Sequence, residues 1–297
     1  MSTEKNSTEI KPKKCSNETN ANAPVVQCIG RANSVQEYLE IIDTTFKNIC
    51  PSNRNCELWY RGQPQAAFDL IPRIARPPLN PEDEILFLSK FKSLAIPDVQ
   101  YLPSFPIPNG PAAYWHWLFQ MQHYGVPTRL MDWSRDAFVG LFFAITQGTA
   151  DVGKDAAVWI LNPVILNQAF SFHSFVNPGY IPNVDEPVVD FYFGPNAQIL
   201  GTTKPAAVIG PMNSPRIVAQ RGTFTVFPRV EDVTPLNQFT DASSYLLKIC
   251  IAAESIDSIR QQLTRYGITR FALFPDLCYI ADEINLQLMQ EGQIPSA

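Results

Sequence analysis

Residues 122–134 bring together an amide, an imidazole, a phenol, a guanidinium, a carboxylate, an indole and hydroxyl groups. Strongly apolar segments flank this polar run on both sides, and rigid flanks of this kind hold polar groups in fixed positions. The run therefore indicates a binding or catalytic site. The alternative is a structural turn, in which Arg129 pairs with Asp132 and Trp133 fills the core.

Two further clusters combine an arginine with a glycine. They are Tyr60-Arg61-Gly62-Gln63 and Gln220-Arg221-Gly222. A planar guanidinium binds a phosphate through two parallel hydrogen bonds, and glycine lets a ligand approach the backbone closely. We therefore expect Arg61 to recognise an anion, together with Arg129. The alternative is that Arg61 forms a salt bridge with a structural acid such as Asp132.

These clusters supply the candidate site residues. The predicted ligand-binding residues are Arg61, Gly62, Gln63, Gln122, Thr128, Arg129, Asp132, Trp133 and Arg221. The predicted catalytic residues are His123, Tyr124 and Gln220. His123 is the candidate for acid–base work, because it alone of the three histidines adjoins the polar run. Gln220 would orient the ligand or, alternatively, tie down a neighbouring loop. Tyr124 or Trp133 would stack on a ligand ring.

Several kinds of chemistry lack their sequence signatures. The chain has no Gly-x-Ser-x-Gly nucleophile elbow, no glycine-rich phosphate loop and no dinucleotide fingerprint. The central clusters hold no pair of carboxylates suited to glycoside hydrolysis. The six cysteines are scattered without zinc-ligand spacing. We therefore expect no metal, and reduced thiols in a cytoplasmic protein fit best.

Charge and hydropathy restrict the partners. The formal net charge of −5 argues against general binding to a nucleic-acid backbone, whose partners are basic. No apolar run reaches the length of about 18 residues that a membrane span requires, and the first residues lack a signal-peptide pattern. The expected partners are therefore a nucleotide-type small molecule or a protein target, without a membrane.

Patterns along the chain predict an α+β fold. Residues 1–24 hold almost no apolar side chain and predict a disordered tail, followed by a single domain over 25–297 with an irregular insertion at about 163–204. Helices are predicted at about 34–50, 81–95, 113–124, 135–147, 255–266 and 275–290, and strands at about 56–60, 156–161, 206–209, 223–227 and 245–251. Ser134 is expected to cap the fourth of these helices. Because strands and helices do not alternate regularly, a mixed or antiparallel sheet with packed helices is favoured.

The three polar clusters, taken in chain order, resemble the FRG-domain family. That family is named for its aromatic-Arg-Gly motif, which Tyr60-Arg61-Gly62 matches here. The polar run and Gln220-Arg221-Gly222-Thr223-Phe224 follow in the order of the family. The resemblance covers about residues 33–228, and the segment at 273–277 belongs with it. The family occurs mostly in bacteria and in phage-like contexts.

A weaker likeness connects the chain with arginine-type ADP-ribosyltransferases, in which an arginine grips the phosphates of NAD. That likeness implies an ADP-ribosyltransferase-like fold and NAD as cofactor, with Arg61 as the gripping arginine. Thr128 or Ser134 would stand for the serine of the family's second motif. Gln220-Arg221-Gly222 has glycine where the glutamate of the third motif would stand.

Two hypotheses about function follow. The first is an enzyme-like domain whose pocket binds a nucleotide or another phosphate-bearing ligand, with NAD-dependent ADP-ribosyl transfer by a toxin or phage-defence effector as its most specific form. The second is a non-catalytic protein-interaction module, in which the polar motifs serve the fold alone. The first hypothesis requires the polar motifs to line one open cleft, and the second requires their charges to be buried and paired.

Overall fold

The computed structural model describes residues 26–49, 56–97, 110–146, 153–169, 180–194, 197 and 204–290. The predicted tail at 1–24 lies outside these residues. The strands are β1 Cys28–Ala32, β2 Trp59–Gln63, β3 Leu130–Ser134, β4 Ala156–Leu161, β5 Ala206–Val208, β6 Gly222–Val226 and β7 Leu246–Ile251. The helices are α1 Val35–Ile49, α2 Glu84–Ala95, α3 Pro111–His123, α4 Ala137–Thr146, α5 Pro163–Ala169, α6 Pro187–Phe193, α7 Pro215–Ala219, α8 Ile256–Arg265, α9 Arg270–Leu273 and α10 Ile280–Gln290.

The strands form one mixed sheet in the order β1-β7-β4-β2-β3-β6-β5. β1 runs parallel to β7, and every other neighbouring pair in that order is antiparallel. Helices cover the sheet, so the predicted α+β class is confirmed. The strands predicted at 156–161, 206–209, 223–227 and 245–251 correspond to β4, β5, β6 and β7.

Two groups of helices cover one face of the sheet. α1, α4 and α8 pack over β2, β4 and β7, where Leu141, Val158 and Ile249 are fully buried. α3 packs over β3, β5 and β6, burying Leu118 and Phe224. The opposite face carries a separate core that contains Trp59, Trp133 and Trp159. The first two groups leave a cleft between α3 and α4, above the middle of the sheet.

The polar run is not a continuous turn, because its second half is the central strand β3. Leu130, Met131 and Trp133 are apolar and almost fully buried, so the sheet buries both faces of this strand. Asp132 is the exposed residue within it. The predicted cap of α4 also needs correction: the Asp136 carboxylate accepts from Phe138 N at 2.9 Å, whereas Ser134 Oγ accepts from Asp136 N. The run therefore enters the sheet before it leads into α4.

The expectation of reduced thiols is wrong for three of the cysteines. Cys28 and Cys250 form a disulfide between β1 and β7, and Cys56 is also disulfide-bonded. The parallel pairing of β1 with β7 brings the two Cα atoms to 6.1 Å, within the usual range for such bonds. Because 222 residues separate the two cysteines in the sequence, no local pattern predicts that they are neighbours.

Two further predictions concern the region at about 163–204 and the absence of a membrane span. α5 and α6 are the described helices of the region at about 163–204, and residues 170–179, 195–196 and 198–203 of it lie outside the described residues. No described helix has the length and apolar composition that would be needed to span a membrane.

Candidate functional site

A cleft of about 90 Å³ lies between α3 and α4, and we call it the Arg61 cleft. Strands β2, β3 and β6 form its floor, and α7 closes one side. The sequence-predicted residues that line it are Arg61, Gly62, Gln122, His123, Asp132, Trp133 and Gln220. The three polar clusters therefore converge on one place.

The cleft opens where β2 and β3 separate. β2 pairs with β4 from Trp59 to Gln63, but it pairs with β3 only at Tyr60↔Ser134. Beyond that pair, the Arg61 side chain reaches β3 and donates from Nη1 to the backbone carbonyl of Asp132 at 2.5 Å. The guanidinium thus bridges two strands that no longer share backbone hydrogen bonds.

Arg61 is a partly buried cation without a carboxylate partner among the described residues. Its Nε is buried and makes no hydrogen bond, and Nη1 contacts only the Asp132 carbonyl. Desolvation lowers the pKa of Arg61 to about 10; the nearby Asp132 charge opposes this shift and Arg76 adds to it. The salt bridge between the side chains of Arg61 and Asp132, which the sequence allowed, is not formed. Burying an uncompensated charge is costly, so this position suits a bound anion.

The Asp132 carboxylate is held by an amide relay. Gln122 Nε2 donates to Asp132 Oδ2 at 2.8 Å, and the Thr128 hydroxyl donates to Gln122 Oε1 at 2.5 Å. Thr128 is fully buried, and its Oγ also accepts from Leu130 N. The relay joins the end of α3 to β3 and fixes the carboxylate at the mouth of the cleft. Thr128 therefore acts behind the cleft rather than in its wall.

His123 and Arg216 form the opposite wall. Arg216 Nη1 donates to the carbonyl of His123 at 3.3 Å, and its guanidinium lies 4.6 Å from the ring centre of Phe274. Burial lowers the pKa of His123 below 6.5; Arg216 lowers it further and Asp276 opposes that effect. The imidazole is therefore neutral at pH 7. Arg216 forms no ion pair with any carboxylate in the described part of the chain, so the cleft holds a second uncompensated cation.

Gln220 lines the cleft and also ties down a neighbouring segment. Its Nε2 donates to the Leu273 carbonyl at 3.0 Å, and its own carbonyl accepts from the Ser134 hydroxyl at 2.7 Å. These bonds connect α9, the turn before β6 and the end of β3. The contacts of Gln220 in this structure therefore match the alternative in which it ties down a neighbouring loop.

Gly62 serves helix packing rather than ligand approach. A Cβ atom at this position would lie 2.1 Å from Ala144 N and 2.3 Å from the Gly140 carbonyl oxygen. The backbone of α4 therefore lies directly on β2, and only glycine allows this contact. Gln63, the next residue, is also structural: its amide accepts from Trp159 Nε1 at 2.7 Å and donates to the Asp69 carbonyl.

Arg129 does not reach the cleft. It is buried and lies 3.0 Å from Glu84, measured from Nε to Oε2, and it also contacts the Tyr114 hydroxyl and the Phe193 carbonyl. The pairing of Arg129 with Asp132 is therefore wrong. The guanidinium is paired with a buried acid that is distant in the sequence, and Arg129 does not line the cleft.

Three further predicted residues do not take the roles that the sequence suggested. Tyr124 is 55% exposed and lies beside Phe91, outside the cleft. Arg221 is exposed on the turn before β6, has a φ of 47°, and lies 3.8 Å from Asp136. The Trp133 indole is buried and donates to Thr225 Oγ1, so its ring cannot stack on a ligand.

Arg216 stands out in the sequence as a further polar position at the end of an apolar segment, but the sequence gives it no specific role. The signal was present, because Arg216 follows Ser214-Pro215 at the start of a short helix close to Gln220. Its relation to His123 depends on tertiary contacts between α3 and α7. No cluster of three or more potential metal ligands occurs among the described residues.

Comparison with known proteins gave one family match. A model of the FRG domain matches residues 56–152, which include β2, α3, β3 and α4. The match contains Arg61, Gln122, His123 and Asp132, but it does not extend to Arg216 and Gln220. Searches of curated proteins and of solved structures gave no match.

Proposed function

Because the chain contains an FRG domain at residues 56–152, we propose that this domain binds a phosphate-bearing, nucleotide-type ligand in the Arg61 cleft. The observation that carries the proposal is the partly buried Arg61 guanidinium, whose buried Nε makes no hydrogen bond and which has no carboxylate partner among the described residues. A phosphate accepts two parallel hydrogen bonds from one guanidinium and supplies the missing charge.

The dimensions of the cleft define which part of the ligand it holds. A volume of about 90 Å³ is well below the roughly 300–1,000 Å³ of pockets that enclose drug-sized ligands. It suits one small group, such as a phosphate between Arg61 and Arg216. Asp132 is exposed, so the rest of the ligand extends past it toward solvent.

NAD-dependent ADP-ribosyl transfer is the most specific form of this proposal. Arg61 fits one phosphate of NAD, and the neutral His123 imidazole could accept a proton inside the cleft. Gly222 stands where the transferases carry a glutamate, and Asp132 is the carboxylate that lines this cleft. Action as a bacterial toxin or phage-defence effector belongs to this form.

The second candidate function is a non-catalytic interaction module. It is favoured by the structural roles of several motif residues. Gly62 admits α4, Gln63 binds Trp159, and Arg129 pairs with Glu84. In this case the motifs stabilise the domain, and the function resides in a protein partner bound elsewhere on its surface.

Substitution of Arg61 by lysine separates the two functions. Lysine keeps the charge but loses the planar fork, so Arg61→Lys is expected to weaken binding of NAD, ADP-ribose and AMP by roughly tenfold or more. Isothermal titration calorimetry measures the three affinities. The control is Arg265→Lys, an exposed arginine that does not line the cleft. Full binding by Arg61→Lys, or no binding by the wild-type protein, would favour the interaction module.

A further inference from the structure

We propose that Asp132 recognises a hydroxyl group on the same ligand, so that the cleft selects a sugar phosphate over a simple phosphate. This inference rests on the proposed anion site at Arg61. It adds a substrate class, which is a phosphate monoester of a sugar or nucleoside, and it assigns Asp132 as the residue that determines specificity.

The Asp132 carboxylate has unused capacity to accept hydrogen bonds. Oδ2 accepts from Gln122 Nε2 at 2.8 Å, and no other described side chain or backbone donor reaches the carboxylate. An ionised carboxylate offers about four acceptor positions. Asp132 is also the exposed residue of β3, so Oδ1 is open to a group entering the cleft.

The relay behind Asp132 fixes the direction of the carboxylate. The buried Thr128 hydroxyl donates to Gln122 Oε1 at 2.5 Å, which leaves the Gln122 Nε2 group facing Asp132. A carboxylate on an exposed strand position is otherwise free to rotate. Gln122 is therefore a positioning residue, and its amide holds the acceptor ready before a ligand arrives.

The proposed sites for the anion and for the hydroxyl group share one residue, Asp132. The backbone carbonyl of Asp132 accepts from Arg61 Nη1 at 2.5 Å, while its side chain forms no ion pair with Arg61. A phosphate bound by Arg61 would therefore lie close to the side-chain carboxylate of Asp132. A second anionic group would be repelled by Asp132, and a cationic group would meet Arg61 and Arg216. A neutral hydrogen-bond donor next to the phosphate is compatible with the Asp132 carboxylate and with the two arginines. A sugar hydroxyl is such a donor.

The test compares two phosphate monoesters of equal charge, ribose 5-phosphate and methyl phosphate, by isothermal titration calorimetry. The wild-type protein is expected to bind ribose 5-phosphate about tenfold more tightly, as one hydrogen bond to a charged group predicts. Asp132→Ala should abolish this preference for ribose 5-phosphate over methyl phosphate. Asp132→Asn keeps the shape of the side chain and should reduce the preference, as should Gln122→Ala.

Asp232→Ala is the control, because Asp232 is an exposed carboxylate that does not line the cleft. It should retain the full preference for ribose 5-phosphate. Equal affinity of the wild-type protein for both monoesters would overturn the assignment of Asp132 and leave the anion site intact. A preference that persists in both Asp132 variants would also overturn it. Binding of neither monoester would overturn the anion site itself, and this inference with it.

Discussion

Replacing Glu84 with alanine is expected to lower the free energy of unfolding by about 3–5 kcal/mol, because it leaves the Arg129 guanidinium buried without a counter-charge. Glu84 is 0% exposed and Arg129 is 2% exposed. Glu84 Oε1 also accepts from Arg129 N at 3.0 Å, and Oε2 accepts from the Tyr114 hydroxyl at 2.9 Å. One substitution thus removes the partners of a buried cation, a backbone amide and a phenol.

Urea denaturation measures this loss, with Glu82→Ala as the control. Glu82 is an exposed acid two positions before Glu84. Its hydrogen bond is donated by the backbone N–H, which the substitution retains. Its replacement should change stability by less than about 0.5 kcal/mol. The double variant Glu84→Met, Arg129→Met should lose less than the sum of the two single variants, since it removes both charges. Additive losses would contradict the buried pair.

Gly62→Ala is expected to cost at least about 3 kcal/mol, at the upper end of the usual range for overpacking. The added methyl group would lie 2.1 Å from Ala144 N and 2.3 Å from the Gly140 carbonyl oxygen. Both atoms belong to the backbone of α4, so no side chain can rotate to make room. The helix must move off β2, which also widens the cleft beside Arg61.

Thermal and urea unfolding test this expectation against Gly222→Ala. A Cβ atom at Gly222 would lie 3.4 Å from Ile217 Cγ2, an ordinary packing distance. This control variant should therefore stay close to wild-type stability. Equal stability of the two variants would mean that α4 does not rest on β2 as the structure describes.

The sequence predicts the elements whose signals are local. β4 is a continuous apolar run, and α1 begins where Glu37 N donates to Ser34 Oγ at 3.1 Å, as the capping pattern requires. β1 gives little signal, because it is an edge strand whose residues are mostly exposed. β3 is difficult to recognise in the sequence because Asp132, a polar residue, lies between apolar neighbours. The run that contains it therefore resembles a turn.

The sequence predicts the convergence of the polar clusters better than the role of each member. Arg61, Gln122 and Asp132 meet as expected, because strands β2 and β3 are neighbours in the sheet. The partner of Arg129 could not be foreseen. Glu84 lies 45 residues earlier on another helix, and only the packing of α2 against α3 brings it to Arg129.

The proposed anion site requires that the Arg61 guanidinium bind the anion through N–H groups that have no partner in the described part of the chain. The most direct measurement is a ¹H–¹⁵N NMR titration of the arginine Nε–H resonances with inorganic phosphate and then with AMP, with the Arg61 signal assigned by its loss in Arg61→Lys. We expect a saturable shift of the Arg61 resonance, accompanied by a shift of Arg216, while Arg129 stays unchanged because it is paired with Glu84. An Arg61 resonance that does not move at saturating ligand, while other arginines shift, would contradict anion binding at Arg61.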